Sequence, residues 1–160
     1  MLPYNTLIKS FKEIFIMRQV PSIREDYLYF EQLNTRWRDN DVYGHMNNAV
    51  FYEYADTVVN GWLIKKGSLD VPKSETVGLV VVTRCTFFSE LKFPNIITCG
   101  LKLNRLGNSS VEYEIGLFSD LERKTAAKII FIHVFVDVKT RRPKKIPQKL
   151  LIPLKTLMKN

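Results

Sequence analysis

Hydrophobic positions recur along this chain with two different periods, and the change from one to the other divides it. Over residues 49–66, Val50, Tyr54, Val58 and Trp62 make one row at helical spacing, and Phe51, Ala55, Val59 and Leu63 make the adjacent row. The spacing predicts a helix, apolar around most of its circumference and so largely enclosed, with Asn47 or Asn48 as N-cap and Gly67 ending it. From residue 77 the period is two and stays two. It predicts strands over 77–88, 96–106, 109–120 and 125–139, broken at Phe93-Pro94-Asn95 and turned at Gly107-Asn108, a good hairpin signal. A further strand over 27–37 precedes the helix, with Tyr29, Leu33 and Trp37 on one face.

The later strands run to about 11–15 residues, against a typical 5–6. Long antiparallel strands curl, and the 49–66 helix is what such a curled sheet can wrap. The expected class is α+β: one strand, a buried helix, then a long meander. Outside this unit, residues 1–18 read as a short amphipathic helix, with Leu7, Ile8, Phe11, Ile14 and Phe15 at helical spacing. Pro21 and Ser22 mark a linker, so residues 1–25 are taken as an N-terminal extension and 26–160 as the domain. Pro143, Pro147 and Pro153 keep the tail irregular until a short helix over 150–159.

Composition changes this picture little. At 160 residues with 46% hydrophobic and 25% charged residues, the chain is an ordinary globular domain. No apolar run reaches the ~20 residues of a membrane span. Two cysteines and two histidines show no pair at metal-ligand spacing, and the cysteines read as buried thiols. Charge is more telling. Eight of the 24 basic residues fall within 139–160, where there is no acid, and the other 16 match the 16 acids. The body is neutral and the tail basic, which suits either a polyanionic partner or a solvated end. The basic, amphipathic N-terminus lacks a secretory cleavage pattern. It fits a cytoplasmic protein or, alternatively, a mitochondrial presequence.

The candidate chemistry lies just before the helix, in Arg36, Trp37, Arg38, Asp39, Asn40, Asp41, Val42, Tyr43, Gly44, His45, Met46, Asn47 and Asn48. The first N–H groups of a helix have no internal partners and carry partial positive charge, so they can hold an anion or a developing oxyanion. A carboxylate delivered to that end supplies a base or nucleophile facing an oxyanion site. Of the two acids, Asp39 reads as turn-capping or Arg-pairing. Asp41 is either the reactive carboxylate or a turn acid accepting N–H bonds.

These residues resemble the motif of the hotdog-fold acyl-CoA thioesterases of the 4-hydroxybenzoyl-CoA thioesterase type. The resemblance extends from Leu33 to about Leu151, taking in the paired aromatics Phe87 and Phe88, the turn from Leu106 to Ser110, Val136-Asp137, and the segment Thr140 to Pro147. It implies a hotdog fold: a long curled antiparallel sheet around a central helix. It implies an acyl-CoA thioesterase using no cofactor or metal, assembled as a homodimer or homotetramer with sites built from two subunits. Asp41 matches the catalytic carboxylate, nucleophile or general base. Asn48 matches the residue whose N–H polarises the thioester carbonyl, and Gly44 permits the close turn. His45 and Asn47 resemble loop residues that position the thioester. The resemblance departs at Asp56, where many relatives carry Glu, and at Ser89, where Pro is usual.

The expected site therefore comprises Asp41, His45 and Asn48 as catalytic residues, with Gly44, Asn47, Tyr52, Asp56, Ser109, Ser110, Arg141 and Arg142 around the substrate. The Arg141–Lys145 cluster fits the phosphates of CoA. Each has a plainer reading: a loop histidine, capping asparagines, hairpin serines, a solvated tail. Tyr43 and Tyr52 read as core packing rather than pocket mouth, and His133 as a structural histidine with its hydrogen bonds satisfied. The acyl chain is expected between helix and sheet, its length set by Phe51, Trp62, Val80 and Val82. Alternatives are a non-catalytic acyl-thioester binder, or an acyl carrier protein as thioester donor. A nucleic-acid binder is disfavoured because residues 139–160 hold no aromatic to stack on a base.

Overall fold

The computed structural model describes residues 19–66 and 73–159. The expected helix over 1–18 and the stop at Gly67 lie outside them. Five strands form one antiparallel sheet: β1 (Tyr29–Asn34), β2 (Thr76–Phe87), β3 (Ile96–Leu106), β4 (Ser110–Ser119) and β5 (Ala127–Asp137), in the spatial order β1-β3-β4-β5-β2. Helix α1 (Asn48–Lys65) lies across one face, and a short helix α2 (Gln148–Lys155) closes the end of that face. This is the hotdog arrangement.

Register follows from the alternation. On β5 the odd residues from Ala127 to Phe135 are buried toward α1, and their partners on β4, Leu117, Ile115, Tyr113 and Val111, face the same way. Two bulges, between Val80 and Val82 and between Leu103 and Arg105, curl the sheet toward the helix. The first puts Val82 opposite Ile132, on the face away from α1, so of the two valines expected to bound an acyl chain only Val80 faces the helix. The β3–β4 hairpin closes with the Gly107 N–H donating to the Ser110 carbonyl at 2.8 Å.

The helix differs from expectation. Both predicted rows are buried, and Ala55, Val58, Val59 and Trp62 are at most 1% exposed. The opposite side, Tyr52, Glu53, Asp56 and Thr57, faces solvent, so the helix is covered on one face only. Trp37 is not in a strand. It sits in a 3-10 turn (Trp37–Asp39), 80% exposed.

The other face of the sheet carries a second, smaller cluster. Residues 22–27 run along it, tied by Ser22 N–H to Thr125 Oγ1 (3.0 Å) and by an isolated bridge between Ile23 and Lys124. The Tyr27 ring lies over Gly100 and Gly116, which are paired across β3 and β4. A Cβ on Gly116 would meet Tyr27 Cζ at 2.5 Å, and one on Gly100 would meet Tyr27 Cγ at 2.6 Å. The two glycines make the slot that the ring fills. Its hydroxyl donates to buried Glu114 at 3.1 Å, and Lys102 pairs with the same carboxylate at 3.2 Å.

His133 is buried, as expected of a strand residue among Phe131, Phe135 and Tyr113. It is not satisfied: neither its Nδ1 nor the neighbouring Tyr113 hydroxyl has a hydrogen-bond partner among the described residues. Burial pushes the imidazole down from 6.5 to about 4. Between those values the unfolded chain takes up a proton that the folded chain refuses. Stability is therefore full above pH 6.5 and falls as pH drops toward 4, by up to about 3 kcal/mol.

Two outcomes follow. In urea titrations across pH 7 to 4, His133→Phe loses less stability than the wild type, and equal slopes would remove His133 as the cause. Gly116→Ala lowers unfolding free energy by about 1–3 kcal/mol through overpacking against Tyr27, measured by the same titration at pH 7.

Candidate functional site

The motif loop folds as a small ladder of its own. The Asn47 N–H donates to the Asp39 carbonyl (2.8 Å), Asn40 and Met46 form an antiparallel bridge, and the Asp41 N–H donates to the His45 carbonyl (2.8 Å). The tip closes with the Gly44 N–H donating to the Asp41 carbonyl at 3.1 Å. Gly44 has φ of +81°, the left-handed region that glycine enters without strain. The ladder is tied to the chain after β2 by the Met46 N–H on the Leu91 carbonyl (2.7 Å) and the Phe93 N–H on Asn40 Oδ1 (3.0 Å).

One leg carries Asp41 and the other runs straight into α1. Asp41 is partly buried, and its Oδ1 accepts from the Tyr43 N–H at 2.8 Å. Its second oxygen has no hydrogen-bond partner among the described residues. At the helix start Asn47 is the cap: its Oδ1 accepts from the Ala49 N–H (2.9 Å) and its carbonyl from the Val50 N–H (2.9 Å). The Asn48 N–H is left without an acceptor among the described residues. One turn thus presents an open carboxylate oxygen on one leg and an open helix N–H on the other.

Asp39 is the opposite of Asp41. It is 1% exposed, and its carboxylate accepts from the Arg36 Nε (2.9 Å), the Arg36 N–H (2.8 Å) and the Tyr54 hydroxyl (2.9 Å). The Arg-pairing expectation holds. His45 faces a residue that sequence reasoning missed: its Nε2 lies 3.1 Å from Glu90 Oε2. Glu90 follows β2 in a loop, and nothing in the periodicity points to its meeting the motif.

Tyr43 and Tyr52 are not core residues. Tyr43 is 81% exposed on the loop, beside Val42 at 94%, and Tyr52 stands on the open side of α1 near Asp56. Among the described residues the Asp56 carboxylate has no partner. The α1–sheet interface, where an acyl chain was expected, is close-packed at Ala55, Val58, Val59 and Trp62.

The remaining residues are far away. The motif loop sits where β2 ends and β5 begins; Ser109, Ser110, Arg141 and Arg142 sit where β5 ends, since the Phe135 N–H donates to the Ser109 carbonyl and the Asp137 N–H to the Arg142 carbonyl. The length of β5, roughly 30 Å at strand rise, separates the two groups. At that far end Asp137 builds a turn. The Thr140 N–H, followed by the Lys144 ammonium, holds its carboxyl down at about 2. Arg141 takes φ of +58° in this turn. Lys144 is engaged by Asp137 (3.2 Å) and Glu75 (3.4 Å), whereas the Arg141 and Arg142 guanidiniums have no partner among the described residues. No cluster of three or more His, Cys, Asp or Glu among those residues is placed to hold a metal ion.

Comparison with known proteins agrees with this fold. The thioesterase-like superfamily matches residues 35–154. The PA5185 protein from Pseudomonas aeruginosa is 47% identical over 86% of this chain and 96% of its own, with a TM-score of 0.83. PA2801 from the same organism, a proposed thioesterase, is 25% identical over 80% and 98%, with a TM-score of 0.73. At 13% identity, the 1,4-dihydroxy-2-naphthoyl-CoA thioesterase from Synechocystis shares the fold (TM-score 0.72; 79% and 95% covered). No curated protein matches the sequence.

Removing the cap tests the local reading. Asn47→Ala lowers stability by about 1 kcal/mol, read as a shift of the urea midpoint with unchanged slope; no shift would mean that the cap bond contributes nothing.

Proposed function

The chain belongs to the thioesterase-like superfamily, and on that footing we propose that it hydrolyses acyl-CoA thioesters to the free acid and CoA. The observation that carries the proposal is the pairing of the open Asp41 oxygen with the open Asn48 N–H on two legs of one locked turn. The thioester oxygen points at the start of α1, where the N–H groups stabilise the negative charge that develops as the carbonyl carbon becomes tetrahedral. Asp41 either takes a proton from a water that adds to that carbon, or attacks it directly to give a mixed anhydride that water then opens. On either route the carbon–sulfur bond breaks, the thiolate leaves and is protonated, and the net reaction consumes one water. His45, held by Glu90, and Asn47 shape the loop around the thioester. The 1,4-dihydroxy-2-naphthoyl-CoA thioesterase from Synechocystis shares this fold, which makes acyl-CoA a natural donor.

The site is complete only in a pair of subunits. Ser109, Ser110, Arg141 and Arg142, which suit the pantetheine and phosphate groups of CoA, are too far from Asp41 within one chain. β2 offers the remedy. It is an edge strand whose stretch from Val77 to Thr83 has no charge, with Leu79 to Val82 36–55% exposed. Such an edge pairs with another chain. Two copies joined antiparallel along β2 set the beginning of one strand against the end of the other. The Arg141–Arg142 turn of one subunit then lies toward the motif loop of its partner.

Thiol release from acetyl-, octanoyl-, palmitoyl- and benzoyl-CoA tests the reaction. The wild type releases CoA from at least one, and Asp41→Asn, folded, is slower by at least about 100-fold; equal rates would sink the assignment of Asp41. The subunit arrangement has its own test. Asp41→Asn and Arg141→Ala/Arg142→Ala proteins, each impaired alone, recover up to about a quarter of wild-type activity when coexpressed, because half of the dimers hold one intact site. No recovery, or a monomer by light scattering at micromolar concentration, contradicts the shared site.

A further inference from the structure

We propose that Asp39 is the positioning residue of this site: from the buried root of the ladder it sets where the Asp41 carboxylate stands relative to the start of α1. The inference rests on the thioesterase reading above and concerns a residue that reading leaves out.

Three observations carry it. The first is connectivity. The Asp39 carboxylate gathers the Arg36 N–H, the Arg36 Nε and the Tyr54 hydroxyl, while its own carbonyl takes the Asn47 N–H. One residue therefore joins the 3-10 turn, the body of α1 and the helix cap. The second is burial. At 1% exposure Asp39 is enclosed, and the rungs beyond it run outward to a tip where Val42 is 94% exposed. At the root, enclosure strengthens the charge-assisted bonds to the carboxylate. The Tyr54 hydroxyl stays protonated there, raised by burial and then by the Asp39 carboxylate beside it. Its other acceptor is the Asn34 carbonyl at 3.0 Å, so its single proton reaches either the carboxylate or the end of β1.

The third is scale. Asp41 and Asn48 lie on opposite legs, so their separation depends on the ladder's register. Slipping one leg by a single residue moves it ~3.3 Å, whereas a misplacement of about 1 Å can cost a reaction roughly 100-fold. The two outer rungs are held from the loop after β2, by the Phe93 N–H on Asn40 Oδ1 and by Glu90 beside His45. The rung at Asp39 is the one bonded to a side chain of α1, the helix that carries the Asn48 N–H, and that tie sets the register of the ladder against the helix start.

The test compares wild type, Tyr54→Phe and Asp39→Asn, using whichever of the four acyl-CoAs above reacts fastest. Tyr54→Phe removes one bond and keeps the ring packing, so it guards against outright unfolding in Asp39→Asn. The expected result is a kcat lowered about tenfold or more in Tyr54→Phe with KM within about twofold, and a larger loss in folded Asp39→Asn. A lower melting temperature with unchanged kcat in the folded variants would make Asp39 merely structural and overturn the proposal. Amide hydrogen exchange at Asp41 and Asn47 supplies an arm that needs no turnover. Exchange more than about tenfold faster in the variants upholds Asp39 as the anchor, and unchanged exchange overturns it. If the wild type releases no thiol from any of the four, the hydrolase reading fails by itself, and the exchange result still decides the role of Asp39.

Discussion

Everything in this molecule depends on one helix having only one face to bury. The rows from Val50 to Leu63 pack onto a curled sheet, and that packing fixes the axis and the first turn of α1. A helix start is chemically useful when its donors are held still and left open. Here the sheet holds them still, the Asn47 cap consumes two of them, and one remains. The motif loop need not be stiff throughout. It inherits rigidity from α1 through Tyr54 and from the end of the sheet through Leu91 and Phe93.

The fold was largely legible because period and burial coincide. The β3 boundaries match the alternation, the other strands differ by a few residues at their ends, and the central helix starts at its asparagine cap. What escaped was tertiary. Apolar character all around α1 suggested enclosure, yet Tyr52 and Ile64 are exposed, since a single sheet covers a single side. Trp37 and Tyr43 look like core residues by type, but they sit in turns whose backbone points them outward. His133 alternated correctly, but periodicity cannot say whether a nitrogen finds a partner. The candidate site was legible as a motif loop, and Asp39 and Asp41 differ in surroundings, the first enclosed and paired with Arg36, the second half-open. Glu90 was not legible, because its meeting with His45 depends on how the loop after β2 folds against the motif. Nor could spacing reveal that Ser109 and Arg141 stand a full strand away from Asp41.

That distance gives the molecule two chemically unlike ends. One has carboxylates, amides and a helix start; the other has a basic turn braced by Asp137. Asp137 and Lys144 neutralise each other, and among the described residues the side chains of Arg141 and Arg142, like those of Lys139 and Lys145 beside them, have no partner. A thioester of CoA is itself unlike at its two ends, an acyl group and a cluster of phosphates, and it is long. On the function proposed above, a single chain with these two ends is one half of a complement for such a molecule.

The slot for Tyr27 has a consequence for how the chain is made. Tyr27 leaves the ribosome early, whereas its seat consists of two glycines, the second of which is roughly 90 residues behind, on the order of ten seconds at ordinary elongation rates. Until Gly100 and Gly116 have been synthesised and paired, the ring and the carboxylate-binding hydroxyl it carries have nowhere to go. The segment carrying Tyr27 thus waits for β3 and β4, and during translation its aromatic side chain is open to chaperones or to a neighbouring nascent chain.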